Sequence, residues 1–203
     1  MTRLLLLGLM LAFAAPTAAE DAAVKPHATV RVRLVTSAGT IVLALEKQAA
    51  PVTTANFLRY VDQKRFDGTS FYRATKVKGA PGMGLIQGGV RGDPARMLPP
   101  IAHEPTTRTG LAHGDGTVSM ARGAPGTARG DFFITLGPMS SFDARPEDAG
   151  DNLGFAAFGQ VVDGMDVVHA ILDRPTSPGE GTGAMQGQIL AKPVRIVSAR
   201  RIR

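Results

Sequence analysis

Hydrophobic and polar residues alternate along most of the chain with the period of a β-strand. In residues 29–34, valines and a leucine alternate with arginines, which is typical of a strand buried on one face. A second alternating run follows at 41–46, after the turn residues 37–39, and this arrangement predicts an antiparallel hairpin. Further short runs predict strands at residues 70–74, 85–87, 117–121, 131–135, 155–161 and 193–202.

The apolar period changes to that of a helix in two places. Residues 50–63 carry one apolar stripe, place Pro51 in the first turn and offer Thr53 or Thr54 as the capping residue. Residues 165–172 show the same period. About eight strands and two helices predict a mainly β domain, either a sandwich or a closed barrel, and the period alone does not choose between them.

The N-terminal segment has a different character from the rest. Arg3 supplies a positive charge, and residues 4–14 form an apolar run that is followed by small residues. The run is short for a bilayer span, and the arrangement is typical of a secretory signal peptide. We therefore expect a signal peptide at 1–19, a linker at 20–28 and one domain at 29–203. An uncleaved membrane anchor is the alternative.

The composition narrows the possible chemistry. The chain has 203 residues, no cysteine, four histidines and a formal charge of +6. The absence of cysteine excludes disulfides and thiol catalysis. The histidines lack zinc-site spacing, and neither a phosphate-binding glycine loop nor a nucleophile elbow occurs, so we expect no metal and no cofactor. The basic C-terminal run has no interleaved aromatic residues, which argues against a nucleic-acid partner.

Four short blocks stand in a distinctive order along the chain. They read G-T-S-F-Y-R-A-T and L-I-Q-G-G within residues 68–89, T-V-S-M-A-R to D-F-F-I within 117–134, F-G-Q-V at 158–161 and D-G-M-D-V-V at 163–168. In that order they resemble the signature of the cyclophilins, a family of peptidyl-prolyl cis-trans isomerases. The resemblance implies a closed eight-stranded antiparallel β-barrel capped by two α-helices.

The same resemblance implies an activity and its partners. It predicts an enzyme that accelerates X–Pro rotation in unfolded or partly folded proteins. The signal peptide, and not the resemblance, places these partners among exported proteins, in the periplasm or outside the cell, with no stable membrane insertion after cleavage. We expect a monomer, because nothing in the sequence indicates an obligate oligomer. A non-catalytic chaperone or scaffold that binds proline-containing segments is the alternative. An activity that makes and breaks no covalent bond agrees with the absence of a nucleophile, metal or cofactor motif.

The resemblance also implies an active-site groove on the outer surface of the barrel. Arg73 takes the position of the arginine that stabilises the twisted peptide bond. Gln87 takes the position of the glutamine that contacts the substrate backbone and helps to orient the catalytic arginine. The predicted substrate-binding residues form the proline pocket and the strand that pairs with the substrate: Phe133 as the floor, Leu85, Ala121, Arg122, Asp131, Phe142 and Phe155.

Several positions depart from the family pattern. Gly84 stands at the position of a pocket-wall phenylalanine, and the loop at residues 76–84 is longer. We expect Met83 or Phe142 to fill the space at Gly84.

Charged residues also replace neutral ones in the groove. Asp131 stands at the position of a glutamine and Arg122 at that of an asparagine. We expect Asp131 to pair with Arg73 or Arg122 and to orient it.

Overall fold

The computed structural model describes residues 28–203, so the predicted signal peptide and nearly all of the linker lie outside the described residues. None of the helices in this part is long and apolar enough to cross a membrane. The strands are β1 Thr29–Thr36, β2 Gly39–Glu46, β3 Ser70–Lys76, β4 Gly84–Gly89, β5 Thr117–Met120, β6 Asp131–Leu136, β7 Ala156–Asp163, β8 Thr176–Ser177 and β9 Ile189–Ile202. The helices are α1 Pro51–Asp62, α2 Thr106–Thr109 and α3 Met165–Leu172.

The strands form one closed antiparallel barrel. Their order is β1-β2-β7-β5-β6-β4-β3-β9, and β1 pairs with β9 to close the ring. The two-residue β8 pairs only with β9 and adds a short extra strand at the outside. The barrel confirms the eight-stranded antiparallel fold that the resemblance implied and excludes a sandwich. Closure leaves the ring without free edges.

The interior of the barrel is filled by alternate residues of every strand, such as Val32 and Leu34 on β1. Helix α1 inserts Phe57 at one end, where its ring lies 5.2 Å from the rings of both Phe132 and Phe158. Helix α3 packs against the opposite end, with Val168 buried. Both predicted helices are therefore confirmed. The four-residue α2 and the two-residue β8 are too short to produce a detectable period.

The start of α1 is capped by a distant side chain and not by Thr53 or Thr54, so that prediction was wrong. The carboxylate of Glu104 accepts hydrogen bonds from the backbone N–H of Val52 at 3.2 Å and of Thr53 at 2.7 Å. It also accepts one from the Thr53 hydroxyl at 2.7 Å. A helix N-terminus needs acceptors for its free N–H groups and favours negative charge, and the buried Glu104 supplies both.

Candidate active site

A β-bulge in β3 sets the direction of the Arg73 side chain. Phe71 pairs with Gly88 and Arg73 pairs with Gln87, so Tyr72 has no partner of its own on β4. Regular alternation would place Phe71 and Arg73 on the same face. Because the bulge adds one residue, Phe71 points into the core while Tyr72 and Arg73 both face the outside.

Two neutral side chains hold the half-buried guanidinium of Arg73. Its Nη1 donates to Gln87 Oε1 at 2.7 Å. Its Nε and Nη2 donate to Gln188 Oε1 at 2.9 and 2.6 Å. Burial lowers the pKa of Arg73 below its ordinary value, yet arginine stays charged in proteins. The partners therefore orient the cation without neutralising it, and two of its five N–H groups have no partner within residues 28–203.

Gln87 is itself fixed in one orientation. Its Nε2 donates to the hydroxyl oxygen of Tyr72 at 2.7 Å, so its Oε1 faces Arg73. Burial raises the pKa of Tyr72, so that the phenol stays neutral. Tyr72 therefore orients the side-chain amide of Gln87, and this amide in turn orients Arg73. The F-Y-R motif contains Tyr72, but no local pattern predicts a role for it.

Gln188, the other side-chain partner of Arg73, was not predicted from the sequence. It lies just before β9, 115 positions from Arg73. The partner of its backbone carbonyl is equally remote, since this oxygen accepts a hydrogen bond from Ala74 N at 3.0 Å. No local pattern marks this glutamine, and only the pairing of β3 with β9 brings it to the arginine.

Three phenylalanine rings and Leu85 form an aromatic cup beside Arg73. Phe133 is the floor, and its ring lies edge to face with Phe142 at 5.5 Å and with Phe155 at 5.3 Å. Phe142 and Phe155 also contact each other at 5.2 Å. Rings at such distances and angles pack favourably and define a rigid apolar surface. Phe132, next in sequence, points into the barrel core.

A buried hydrogen-bonded chain lies behind the floor of the cup. The His113 ring stacks on Phe133 at 6.0 Å with an interplanar angle of 13°. His113 Nδ1 lies 2.7 Å from Asp143 Oδ1, and its Nε2 lies 2.9 Å from Ser119 Oγ. Burial lowers the pKa of His113, with Asp143 acting in the opposite direction. The ring is therefore neutral at neutral pH and supports Phe133.

Arg122 braces one wall of the cup. All of its N–H donors are used: by the Gly154 carbonyl, the Gly123 carbonyl and both carboxylate oxygens of Asp151. Its guanidinium also lies 5.1 Å from the centre of the Phe155 ring, a cation–π arrangement. The side chain is thus committed to holding Phe155 in place, and it has no donor left for a substrate.

The backbone beside this brace forms an open edge. β5 ends at Met120, and the chain continues along the groove through Ala121 and Arg122. Within residues 28–203, the Ala121 carbonyl and the Arg122 N–H have no hydrogen-bond partner. An extended peptide can pair with such an edge.

Asp131 does not pair with Arg73 or Arg122, so that prediction was wrong. Its Oδ1 accepts the backbone N–H of Arg91 at 2.8 Å, and burial raises its pKa. Asp131 holds the turn after β4, where Arg91 adopts a positive φ of 48°. The Arg91 guanidinium lies over the Tyr72 ring at 5.2 Å.

The expected space at Gly84 does not exist either. A Cβ at this position would collide with the Thr75 carbonyl oxygen and would lie 2.9 Å from Leu172 Cδ1. Helix α3 and β3 thus close over the glycine, and neither Met83 nor Phe142 has a gap to fill. Phe142 belongs to the cup, whereas Met83 lies against Gly137.

These elements enclose one groove of about 810 Å³ on the outer face of the barrel. All of the residues predicted for the site line it: Arg73, Leu85, Gln87, Ala121, Arg122, Asp131, Phe133, Phe142 and Phe155. Arg73, Gln87 and Phe133 are register partners on the adjacent strands β3, β4 and β6. The barrel therefore places a fixed cation, an amide and an apolar floor in one row.

Comparison with known proteins connects this arrangement to a family. Residues 31–201 match the family described as cyclophilin type peptidyl-prolyl cis-trans isomerase/CLD. The peptidyl-prolyl cis-trans isomerase A of Dickeya dadantii is 37% identical over 175 residues, covering 85% of this chain and 84% of the relative. The corresponding isomerase of Acinetobacter baylyi is 35% identical over 177 residues, covering 84% and 85%.

Solved structures give the same result for the fold. A cyclophilin type isomerase of Cryptosporidium parvum superposes with a TM-score of 0.66 at 20% identity, covering 87% of this chain and 99% of that one. Its structure in the presence of the dipeptide Ala-Pro gives a TM-score of 0.65 at 21% identity. The sequence match across residues 31–201 and the barrel agree, and the chain belongs to the cyclophilin-type peptidyl-prolyl cis-trans isomerases.

Proposed function

We propose that the groove catalyses rotation of X–Pro peptide bonds with Arg73 as the catalytic residue and the aromatic cup as the proline pocket. The observation that carries this assignment is the half-buried, uncompensated cation of Arg73 in register with the apolar floor Phe133. The same contacts support a positioning role for Gln87 and Gln188.

The physics of the reaction explains why a fixed cation is useful. Rotation about the peptide C–N bond breaks its resonance, at a barrier of about 18–20 kcal/mol. In the twisted state the prolyl nitrogen becomes pyramidal and regains its lone pair. A cation that donates a hydrogen bond to this lone pair binds the twisted state better than either planar state, and such differential binding is catalysis. The free N–H donors of Arg73 are suited to this task.

The other parts of the groove hold the two sides of the rotating bond. The proline ring packs against Phe133, Phe142 and Phe155, which bury it from water. The residue before proline pairs with the open backbone edge at Ala121 and Arg122. With both sides held, only the peptide bond between them turns.

An exchange experiment separates this function from the alternative of a non-catalytic binding module. Two-dimensional exchange NMR on an Ala-Pro peptide measures cis–trans interconversion while a titration measures binding. We expect exchange cross-peaks with the protein and none with the peptide alone, because uncatalysed interconversion takes tens to hundreds of seconds. Binding of the peptide without cis–trans exchange would support the hypothesis of a non-catalytic chaperone or scaffold instead.

We also propose that the protein acts as a monomer on exported proteins. The charged residue, apolar run and small residues at the N-terminus support export. Expression of the full chain in a Gram-negative host, followed by fractionation, N-terminal sequencing and light scattering, tests this. The expected product is a periplasmic monomer that begins at Glu20, whereas an uncleaved chain in the membrane fraction would contradict export of a soluble enzyme.

A further inference from the structure

A second cavity opens beside the groove and shares two of its walls. Its volume is about 370 Å³, and its lining includes Leu85 and Phe142, which also border the aromatic cup. The volume falls within the range of small-ligand pockets, about 300–1,000 Å³. A peptide that leaves the cup past Leu85 and Phe142 meets this cavity next.

The far wall of the cavity is the longer loop between β3 and β4. Val77 N donates to Met83 O at 2.9 Å, which closes residues 77–83 into a compact turn. Gly79 and Gly82 adopt positive φ angles of 80° and 77° within it. This turn carries the side chains of Val77 and Met83 to the cavity. The cavity therefore depends on the part of the chain that departs from the family pattern in length.

The chemistry of the lining favours an apolar occupant. Val77, Met83, Leu85 and Phe142 supply the apolar surface, and Val77 is 41% exposed. The cation at the rim, Lys76, is already paired with an aspartate of the α3 end at 2.7 Å, so it offers little selectivity for an acidic group. Covering exposed apolar surface is favourable in proportion to its area.

We propose that this cavity is a second substrate subsite, which takes an apolar side chain from the first two residues after proline; the proposal rests on the proposed function. The residue before proline pairs with the edge at Ala121 and Arg122, so the residues after it leave on the other side of the cup. Two extended residues span about 6.6 Å, which is enough to carry a side chain past Leu85 and Phe142.

The test uses peptides of the form Ala-Ala-Pro-Xaa-Yaa, with leucine or serine at each of the last two positions. Both kcat/KM for isomerisation and Kd for binding are measured. We expect the protein to favour leucine over serine by about tenfold at one of these positions. Val77→Ser and Met83→Ser change opposite parts of the turn, and each is expected to lower that ratio to about twofold.

The matched control is Val162→Ser, because Val162 is 49% exposed on β7 and lines neither cavity. It is expected to keep both the leucine preference and the turnover. Equal values for leucine and serine peptides, with turnover intact, would overturn the subsite and leave the isomerase proposal standing. A leucine preference in Kd without any turnover would support the subsite and overturn the proposed catalysis. A preference that survives both turn variants would also overturn the subsite.

Discussion

At the scale of single residues, the charge of Arg73 is the central feature of the groove. Among residues 28–203, no carboxylate forms an ion pair with it, and its side-chain partners are the amide oxygens of Gln87 and Gln188. An acidic partner would orient the guanidinium equally well, but it would also cancel the field at the substrate. Electrostatic catalysis requires a charge that is both fixed and available.

Gln188 gives a direct test of this distinction. Gln188→Ala releases two N–H groups of Arg73, and we expect kcat to fall by about 10- to 100-fold, since hydrogen bonds to charged groups contribute about 1.5–3 kcal/mol. Gln188→Glu keeps an acceptor but adds a negative charge, and we expect it also to lower kcat. Peptide isomerisation kinetics that separate kcat from KM measure both effects.

The matched control for these variants is Gln186→Ala, because Gln186 is exposed and, within residues 28–203, its side chain bonds only to the Pro178 carbonyl. It should leave kcat and KM near the parent values. A Gln188→Glu variant with the parent kcat would show that neutral partners are not required, and would remove the positioning role assigned to Gln188.

The predicted site residues that meet in the groove lie in short contiguous motifs. Arg73, Gln87 and Phe133 each stand within one of the blocks that carry the resemblance, so their positions could be matched directly, and all three line the groove. The pairing of Asp131 with an arginine could not be predicted in the same way. Which of several nearby donors a carboxylate meets depends on turn geometry, and here the turn offers the backbone N–H of Arg91.

At the scale of secondary-structure elements, the bulge in β3 and the cap of α1 show what periodicity misses. The alternation of residues 70–74 predicts a strand but not the extra residue that turns Arg73 outward. Helix α1 was predicted from its apolar stripe, whereas its cap comes from Glu104, about fifty positions away. Both features depend on tertiary pairing, which a local pattern does not contain.

Glu104 is therefore expected to stabilise the domain through α1. Glu104→Ala leaves the first N–H groups of the helix without their buried acceptor, and we expect it to lower the free energy of unfolding by about 1–3 kcal/mol. Glu104→Gln keeps one acceptor and should cost less. Urea denaturation measures both variants, with Glu147→Ala in the exposed loop as the control. A Glu104→Ala midpoint equal to that of the parent would contradict the capping role.

At the scale of the whole molecule, the closed barrel acts as the frame that keeps the groove in register. The row of Arg73, Gln87 and Phe133 spans three adjacent strands, and their spacing is set by the hydrogen-bond ladder, about 4.8 Å per strand. The number of strands could be predicted from the alternating runs. Closure could not, because nothing local to β1 or β9 shows that they pair.

The buried His113 makes the stability of the whole domain depend on pH. Burial lowers the pKa of His113 below its ordinary value of 6.5, so below pH 6.5 the unfolded chain binds a proton that the folded protein does not. This contribution to stability is therefore present above pH 6.5 and is lost as the pH falls below it. The expected slope is at most about 1.4 kcal/mol per pH unit for one proton.

Denaturation curves between pH 5 and 7.5 measure this slope, and His113→Gln should flatten it even if that variant is less stable overall. His169→Gln, on the exposed face of α3, is the control and should keep the parent slope. Parallel pH profiles for the parent and His113→Gln would show that another group is responsible.

The role of Arg73 is tested by the rate of Ala-Pro isomerisation with the parent protein, Arg73→Lys and Arg73→Ala, with folding checked by circular dichroism. We predict that Arg73→Ala loses about 100- to 1,000-fold in kcat/KM, as expected for removal of a preorganised transition-state donor. Arg73→Lys should fall between the two, because it keeps the charge but loses the rigid fork of donors. A folded Arg73→Ala variant that retains the parent rate would contradict the central role of this cation.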